Sequence, residues 1–231
     1  TITTFRDRNP LKIDAIASHG HTILHRPDQG VTYQIGNRSE LAKSCKILVV
    51  FDFRIEDVAL GGQGAPLVPI GDRLLFEDFK ACLNIGGFAN ISFEQNDKRI
   101  AYDICPTNIV LNHLTRQLGF DFDKDGAIAA SGAVDGSLLN ELNNLGFYKE
   151  SFPKSLGLEW VKREIFPILN QSKATTENKI ATFTEHMAVQ LAANINLLAN
   201  GKRENRVLVT GGGAYNNYLI KRTQHLSQIK L

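Results

Sequence analysis

Residues 81–108, ACLNIGGFANISFEQNDKRIAYDICPTN, constrain this chain more than any other stretch. Apolar runs at Ala81–Ile85, Asn90–Glu94 and Arg99–Asp103 read as three strands. Their connections are hairpin-short, so the spacing predicts antiparallel neighbours. Gly86-Gly87 turns the backbone without Cβ clashes and lets it approach a ligand closely. The third strand is expected to end on Asp103, with Pro106 stopping it and Asn108 capping the helix that follows. A glycine hairpin beside a strand-end acid suits phosphate handling together with general base chemistry.

The rest of the chain places that hairpin in an α/β pattern. Strands are expected at Ile13–Ala17 and over KILVVFDF at Lys46–Phe53, followed by the glycine-rich loop Gly61-Gly62-Gln63-Gly64-Ala65-Pro66. The second half reads as helical over Thr107–Leu118, Asp125–Ser131, Asp135–Leu145, Leu158–Leu169 and Thr176–Asn200. The last of these carries a broad apolar face from Phe183 and Met187 to Ile195 and Leu198. A strand at Arg206–Thr210 then runs into Gly211-Gly212-Gly213 and a helix from Ala214. A domain boundary falls near Leu75–Lys80.

Bulk properties exclude some classes. A net charge of +2, with no basic block or aromatic-interleaved Lys/Arg run, gives nucleic acid no footprint. No stretch is long and apolar enough to span a bilayer and no signal peptide is visible, so the expectation is a cytoplasmic protein. Cys45, Cys82 and Cys105 are widely spaced without a CxxC, and the first two are expected as buried free thiols. Both ends look cut, and the final Ser227–Leu231 reads as a strand just beginning.

Each candidate residue also has a plainer role. Gly211–Gly213, between a strand and a helix, suits an anion or a flat-lying adenosine, but a tight strand–helix turn also needs small residues. Asn216 either reaches a ligand or caps the first helical turn. Asn84 and Asn90 flank the glycine hairpin, and a buried amide must find partners. Strand-end acids such as Asp103 are more often caps or ion-pair partners than catalysts, although ligands collect at strand ends in α/β folds. Asp52 with Arg54 repeats the arrangement, or is an ordinary ion pair. His19 has no acid or cysteine at zinc spacing and suits hydrogen bonding to a sugar or carboxylate. Gln63 is placed to present its amide. Lys154, after Pro153, meets an anion or only solvent.

In order, SHGHT at Ser18–Thr22, QIG at Gln34–Gly36, DFR at Asp52–Arg54 and GGQGAPLVP at Gly61–Pro69 resemble the anhydro-N-acetylmuramic acid kinases of bacterial cell-wall recycling. The resemblance continues through NIGGFAN at Asn84–Asn90, DICPTN at Asp103–Asn108, PKSLGLEW at Pro153–Trp160 and GGGAYN at Gly211–Asn216. It covers nearly the whole chain, and the long GGQGAPLVP string is very specific. It implies an actin-like (ribonuclease H-like) ATPase fold of two lobes around a cleft, with mixed five-stranded sheets flanked by helices and the first lobe incomplete. On this view residues 1–75 belong to the first lobe with its sugar-binding loops. Residues 76–231 form the second, with the phosphate hairpin, the acid and the adenosine turn.

The resemblance also implies roles and ligands. ATP with Mg²⁺ is implied on Asn84, Gly86, Gly87, Asn90, Gly211, Gly212, Gly213 and Asn216. The sugar is implied near His19, Asp52, Arg54, Gln63, Gly64, Ala65, Pro66, Asn108 and Lys154. Asp103 matches the acid of the family's DTGPGN motif, its expected catalytic base. Here Ile104 and Cys105 replace Thr-Gly and Thr107 replaces the second Gly. No direct metal ligand is implied. The partners are a small-molecule sugar and ATP, with a homodimer allowed.

A first phosphate loop of the GTSxDG kind is absent from these 231 residues, so the chain alone is expected to show weak or no kinase activity. A non-catalytic actin-like fragment that binds sugar or nucleotide is the alternative, and a related chaperone-like ATPase scaffold leaves GGQGAPLVP without a role.

Overall fold

The computed structural model describes every residue except 1, 10, 27, 28, 37, 62, 63, 65, 66 and 200–205. The chain forms two compact units, Thr1–Val68 and Pro69–Leu231, dividing earlier than the boundary expected at residue 75.

In the first unit, α1 (Ile2–Arg8), β1 (Ala15–Ser18), β2 (His21–Arg26), β3 (Val31–Ile35), α2 (Ser39–Cys45), β4 (Leu48–Phe51) and α3 (Phe53–Ala59) follow in order. β1 and β4 pair in parallel, from Ala15↔Leu48 to Ser18↔Phe51, and β2 and β3 form an antiparallel hairpin. The strand expected over Lys46–Phe53 is shorter because both flanks turn. Lys46 (φ 52) caps α2 and Asp52 (φ 66) enters α3, each in the left-handed region. The β2–β3 hairpin was not expected. Its inward positions in β3 are the polar Thr32 and Gln34, so the usual apolar alternation is missing.

α4 (Val68–Leu75) begins at the last residue of the first unit and leads into the second. β5 (Ala81–Ile85), β6 (Phe88–Gln95) and β7 (Lys98–Pro106) form the expected antiparallel meander. Asn96 (φ 51) and Asp97 (φ 60) supply the positive φ that a tight β6–β7 turn needs. The helices are α5 (Asn108–Arg116), α6 (Ala127–Ser131), α7 (Gly136–Asn143), α8 (Leu158–Trp160), α9 (Phe166–Gln171) and α10 (Thr176–Asn196). β8 (Val207–Thr210) then pairs in parallel with β5, giving the order β7-β6-β5-β8, and α11 (Asn217–Leu226) follows. The sheet is 4-stranded among the described residues, where five strands were expected, and a parallel bridge Arg206↔Lys230 adds the start of further pairing beside β8.

The core of this unit joins the sheet to α10. Leu83, Ile85, Ile91 and Ile104 are fully buried with Phe183, Met187, Leu191 and Ile195. Each such side chain contributes about 1.5–3 kcal/mol on leaving water. Thr175 caps α10 by accepting from the Asn178 N–H. This is a mixed α/β fold with helices flanking the sheet. Among the described residues no helix is long and apolar enough to cross a membrane, and Cys45, Cys82 and Cys105 are buried free thiols.

Two local expectations are corrected. β7 does not end at Asp103 but continues to Pro106. The register shifts between Ala89↔Cys105 and Asn90↔Asp103, so Ile104 is the extra residue of a bulge, a feature sequence periodicity does not show. Asn108 does not cap α5: it is the helix's first residue, Thr107 precedes it, and no side chain makes the cap bond.

Candidate active site

The hairpin places its polar residues in one row. Asp103 on β7 lies opposite Asn90, Asn90 opposite Asn84, and Asn84 beside Thr210 on β8. Directly paired residues project to the same side of a sheet, so the row shares one face. Both glycine bends lie next to this row: Gly86-Gly87 begins two residues after Asn84, and Gly211 comes immediately after Thr210.

The two bends pack against each other. Gly211 has φ +83, and a Cβ there would lie 2.6 Å from both Asn84 Oδ1 and the Ile85 carbonyl. A Cβ on Gly213 would lie 2.2 Å from Ile85 Cγ2. Only glycine permits this approach. Thr107, fully buried, fastens the hairpin from the other side. Its hydroxyl donates to the Gly86 carbonyl at 2.8 Å and its N–H to the Gly87 carbonyl at 2.9 Å. The threonine that replaces the second glycine of the DTGPGN pattern is therefore a strut under the Gly86-Gly87 bend.

Asp103 is held by the segment that follows Pro153. Its N–H donates to the Lys154 carbonyl at 3.1 Å, and its Oδ2 accepts the Leu156 N–H at 2.8 Å. Burial pushes its carboxyl above the usual aspartate range, and the Leu156 hydrogen bond pulls partly the other way. A half-buried, oriented carboxylate with a raised pKa is suited to accept a proton near neutrality. The Lys154 ammonium donates to the Phe147 carbonyl at 3.0 Å and lies 4.5 Å from that ring's centroid, and burial lowers its pKa.

A cavity of about 450 Å³ opens beside the triple glycine, lined by Asn108, Gly212, Gly213, Asn216, Phe122 and Tyr215 among others. A Cβ on Gly212 would meet nothing nearer than Asn108 Nδ2 at 3.7 Å. Tyr215 is 81% exposed and Phe122 59%, leaving aromatic faces available to a flat ring. Asn216 caps α11, its Oδ1 accepting from the Leu219 N–H at 3.0 Å, while still lining the cavity. Sequence reasoning missed Phe122 and Tyr215. Among the described residues no three His, Cys, Asp or Glu side chains are grouped to hold a metal ion.

In the first unit, His19 follows β1 while Asp52 and Arg54 follow β4. The two strands are parallel, so these residues emerge at one edge. Arg54 Nε donates to His19 Nε2 at 2.9 Å, and His19 Nδ1 lies 2.9 Å from the Gly20 carbonyl, which puts the ring proton on Nδ1. Arg54 also donates to the Gly64 carbonyl, and the Gly64 N–H donates to Asp57 Oδ2 at 2.6 Å. A Cβ on Gly64 would lie 2.8 Å from Val58. Arg54 and Asp57 thus grip the GGQGAPLVP loop by its central glycine. Asp52 makes no cap bond despite its left-handed backbone. Gln63, Ala65 and Pro66 lie outside the described residues.

Known proteins give this geometry a family. The sequence profile of the anhydro-N-acetylmuramic acid kinases matches residues 4–231. An anhydro-N-acetylmuramic acid kinase of Pseudomonas syringae pv. syringae (strain B728a) is 43% identical over 97% of this chain and 64% of its own length. One from Aliivibrio fischeri (strain ATCC 700601 / ES114) is 38% identical over 92% of this chain and 60% of its own. One from Psychrobacter cryohalolentis is 37% identical over 94% of this chain and 58% of its own. The chain spans less than two thirds of the length of these relatives. It belongs to the anhydro-N-acetylmuramic acid kinase family.

Proposed function

We propose that the protein carrying this sequence is an ATP-dependent kinase that opens 1,6-anhydro-N-acetylmuramic acid with water and phosphorylates the freed O6. The product is N-acetylmuramic acid 6-phosphate. The observation that carries this reading is Asp103, oriented by Leu156 and standing in one polar row with the two glycine bends.

In this reading Asp103 Oδ1 takes a proton from the water that attacks the anomeric carbon. The C1–O6 bond breaks, its electron pair stays on O6, and O6 attacks the γ-phosphorus in line as the bond from that phosphorus to the bridging oxygen breaks and ADP leaves. The Gly86-Gly87 backbone bears the phosphates, so positioning and electrostatics supply most of the catalysis. The cavity beside Gly212, with Phe122, Tyr215 and Asn216, fits adenosine. Mg²⁺, which neutralises phosphate charge when bound, would be held chiefly by phosphate oxygens and water, because the described residues offer no cage of their own. His19, Asp52, Arg54 and Gly64 form the sugar-binding group, to which Gln63, Ala65 and Pro66 are assigned by motif. Lys154 contributes by presenting its carbonyl to Asp103.

The test is to incubate the protein with ATP, Mg²⁺ and the anhydro sugar and follow ADP and the 6-phosphate together. Equimolar formation is expected, with Asp103→Asn slower by about 10²–10⁴-fold. Equal rates in the two proteins reject the reading. Binding of sugar and nucleotide without turnover favours the second reading, a non-catalytic binding module.

A further inference from the structure

The segment that holds Asp103 is itself seated on an aromatic platform. The Phe152 ring stacks on Tyr102, with centroids 5.2 Å apart and planes 5° from parallel, and meets Phe93 of β6 edge-on at 6.2 Å. Phe93 and Tyr102 are both buried and meet edge-to-face at 6.2 Å. The Tyr102 hydroxyl donates to Asn194 Oδ1 of α10 at 3.0 Å. Phe152 therefore rests on rings that the core already fixes.

The place of that platform matters. β7 stands at the edge of its sheet among the described residues. Tyr102 and Asp103 are consecutive on it, and successive side chains of a strand point to opposite faces. The 152–156 segment touches β7 at every second residue. The Phe152 ring lies on the Tyr102 face, the Lys154 carbonyl takes the Asp103 N–H at the open edge, and the Leu156 N–H reaches Asp103 Oδ2 on the far face. The segment thus straddles the strand. Of these three contacts, only the Phe152 one is made by a side chain of the segment. Covering a strand edge needs no more than the backbone bond at Lys154, whereas a ring on one face and a carboxylate bond on the other also fix how the segment is rotated about the strand.

We infer that Phe152 is a positioning residue for Asp103: stacked on Tyr102, it seats the segment so that the Leu156 N–H meets Oδ2. The inference rests on the role of Asp103 proposed above. The Leu156 bond favours the ionised carboxylate, so losing it moves the acid limb of kcat to higher pH. Cys105 and Lys154 also act on this corner, but burial keeps the Cys105 thiol protonated and the Lys154 ammonium is engaged by the Phe147 carbonyl.

The test compares wild type with Phe152→Ala, Phe152→Leu and Phe152→Tyr. It measures kcat and the KM for sugar and for ATP across pH, thermal stability, and hydrogen exchange of the Leu156 amide by NMR. Phe152 is 38% exposed, so its ring can be removed without emptying the core. Phe152→Ala is expected to lower kcat about 10-fold with both KM values unchanged, as befits an effect on the reacting group alone. Its acid limb should move up and its Leu156 amide exchange faster. Phe152→Tyr, which keeps the ring, restores most of the rate and of the protection, and Phe152→Leu falls between. A lower melting temperature with wild-type kcat, acid limb and Leu156 exchange overturns the inference, as does exchange that quickens equally along the whole of β7. Should Phe152→Ala not fold, Phe152→Leu carries the same decision. If wild type fails to turn the sugar over, the functional reading fails. The positioning role then stands or falls on Leu156 exchange and on the Asp103 carboxyl titration by carbon-13 NMR, which Phe152→Ala should shift upward.

Discussion

The backbone N–H of Leu156 donates to Oδ2 of Asp103 at 2.8 Å, while the Asp103 N–H donates to the carbonyl of Lys154 two residues earlier at 3.1 Å. The segment after Pro153 therefore holds both ends of the acid, side chain and backbone, and takes up Oδ2 of its carboxylate.

Asp103→Asn is expected to separate activity from stability. Burial opposes the ionised carboxylate in the folded state only. Above the raised folded pKa the ionised group destabilises the fold, and protonation relieves that penalty as pH falls through it. The amide variant should therefore melt no lower than wild type at pH 7 while losing turnover. The same shift should place the acid limb of kcat above the ordinary aspartate range. A limb within that range, or a clearly lower melting temperature, would count against the assignment.

The two neighbouring glycines should respond differently to alanine. Gly211→Ala meets Asn84 Oδ1 and the Ile85 carbonyl at 2.6 Å from a φ of +83, costing at least about 2 kcal/mol. Gly212→Ala has ordinary van der Waals space toward Asn108 and should fold with nearly wild-type stability. Its methyl enters the cavity, so nucleotide affinity should fall. Chemical denaturation and titration with an ATP analogue read the two effects separately.

Thr107→Val keeps shape but removes the hydroxyl that bonds Gly86. The loss should be about 1–2 kcal/mol, with the ATP KM rising more than the sugar KM. Equal shifts would show that the hydroxyl stabilises the fold without setting the Gly86-Gly87 bend for nucleotide.

His186 gives a pH signature unrelated to catalysis. It is fully buried on α10, with Nδ1 2.6 Å from Asn143 Oδ1 and Nε2 2.9 Å from the Tyr148 hydroxyl, and desolvation pushes its pKa down to about 3. Below the unfolded value of 6.5 the unfolded chain binds a proton that the native state refuses. Stability is thus complete above that value and falls as pH drops toward 3, by up to about 1.4 kcal/mol per pH unit. Denaturation of wild type and His186→Gln between pH 7 and pH 4 should show a flatter slope in the variant.

The hairpin, the triple glycine and the long apolar face of α10 were legible in the sequence because each rests on local chemistry: paired glycines, a strand–helix junction, a helical period. The end of β7 was not. A bulge at Ile104 leaves no periodic trace, so Asp103 read as a strand end when the strand runs on to Pro106. The β2–β3 hairpin was hidden by Thr32 and Gln34 facing inward. The grip of Leu156 on Asp103 and of Asp72 on Ser92 joins distant parts of the chain, which no local pattern encodes. His19 and Arg54 are separate candidates in the sequence, and their direct hydrogen bond follows only from the parallel pairing of β1 and β4.

The most direct measurement is turnover of the anhydro sugar with ATP and Mg²⁺ in oxygen-18 water, with the product's label located by mass spectrometry and NMR. If Asp103 primes water at the anomeric carbon, the label appears on C1 of the 6-phosphorylated product and Asp103→Asn forms almost none. Product carrying no label at C1, or the labelled product formed at an undiminished rate by Asp103→Asn, would contradict the account.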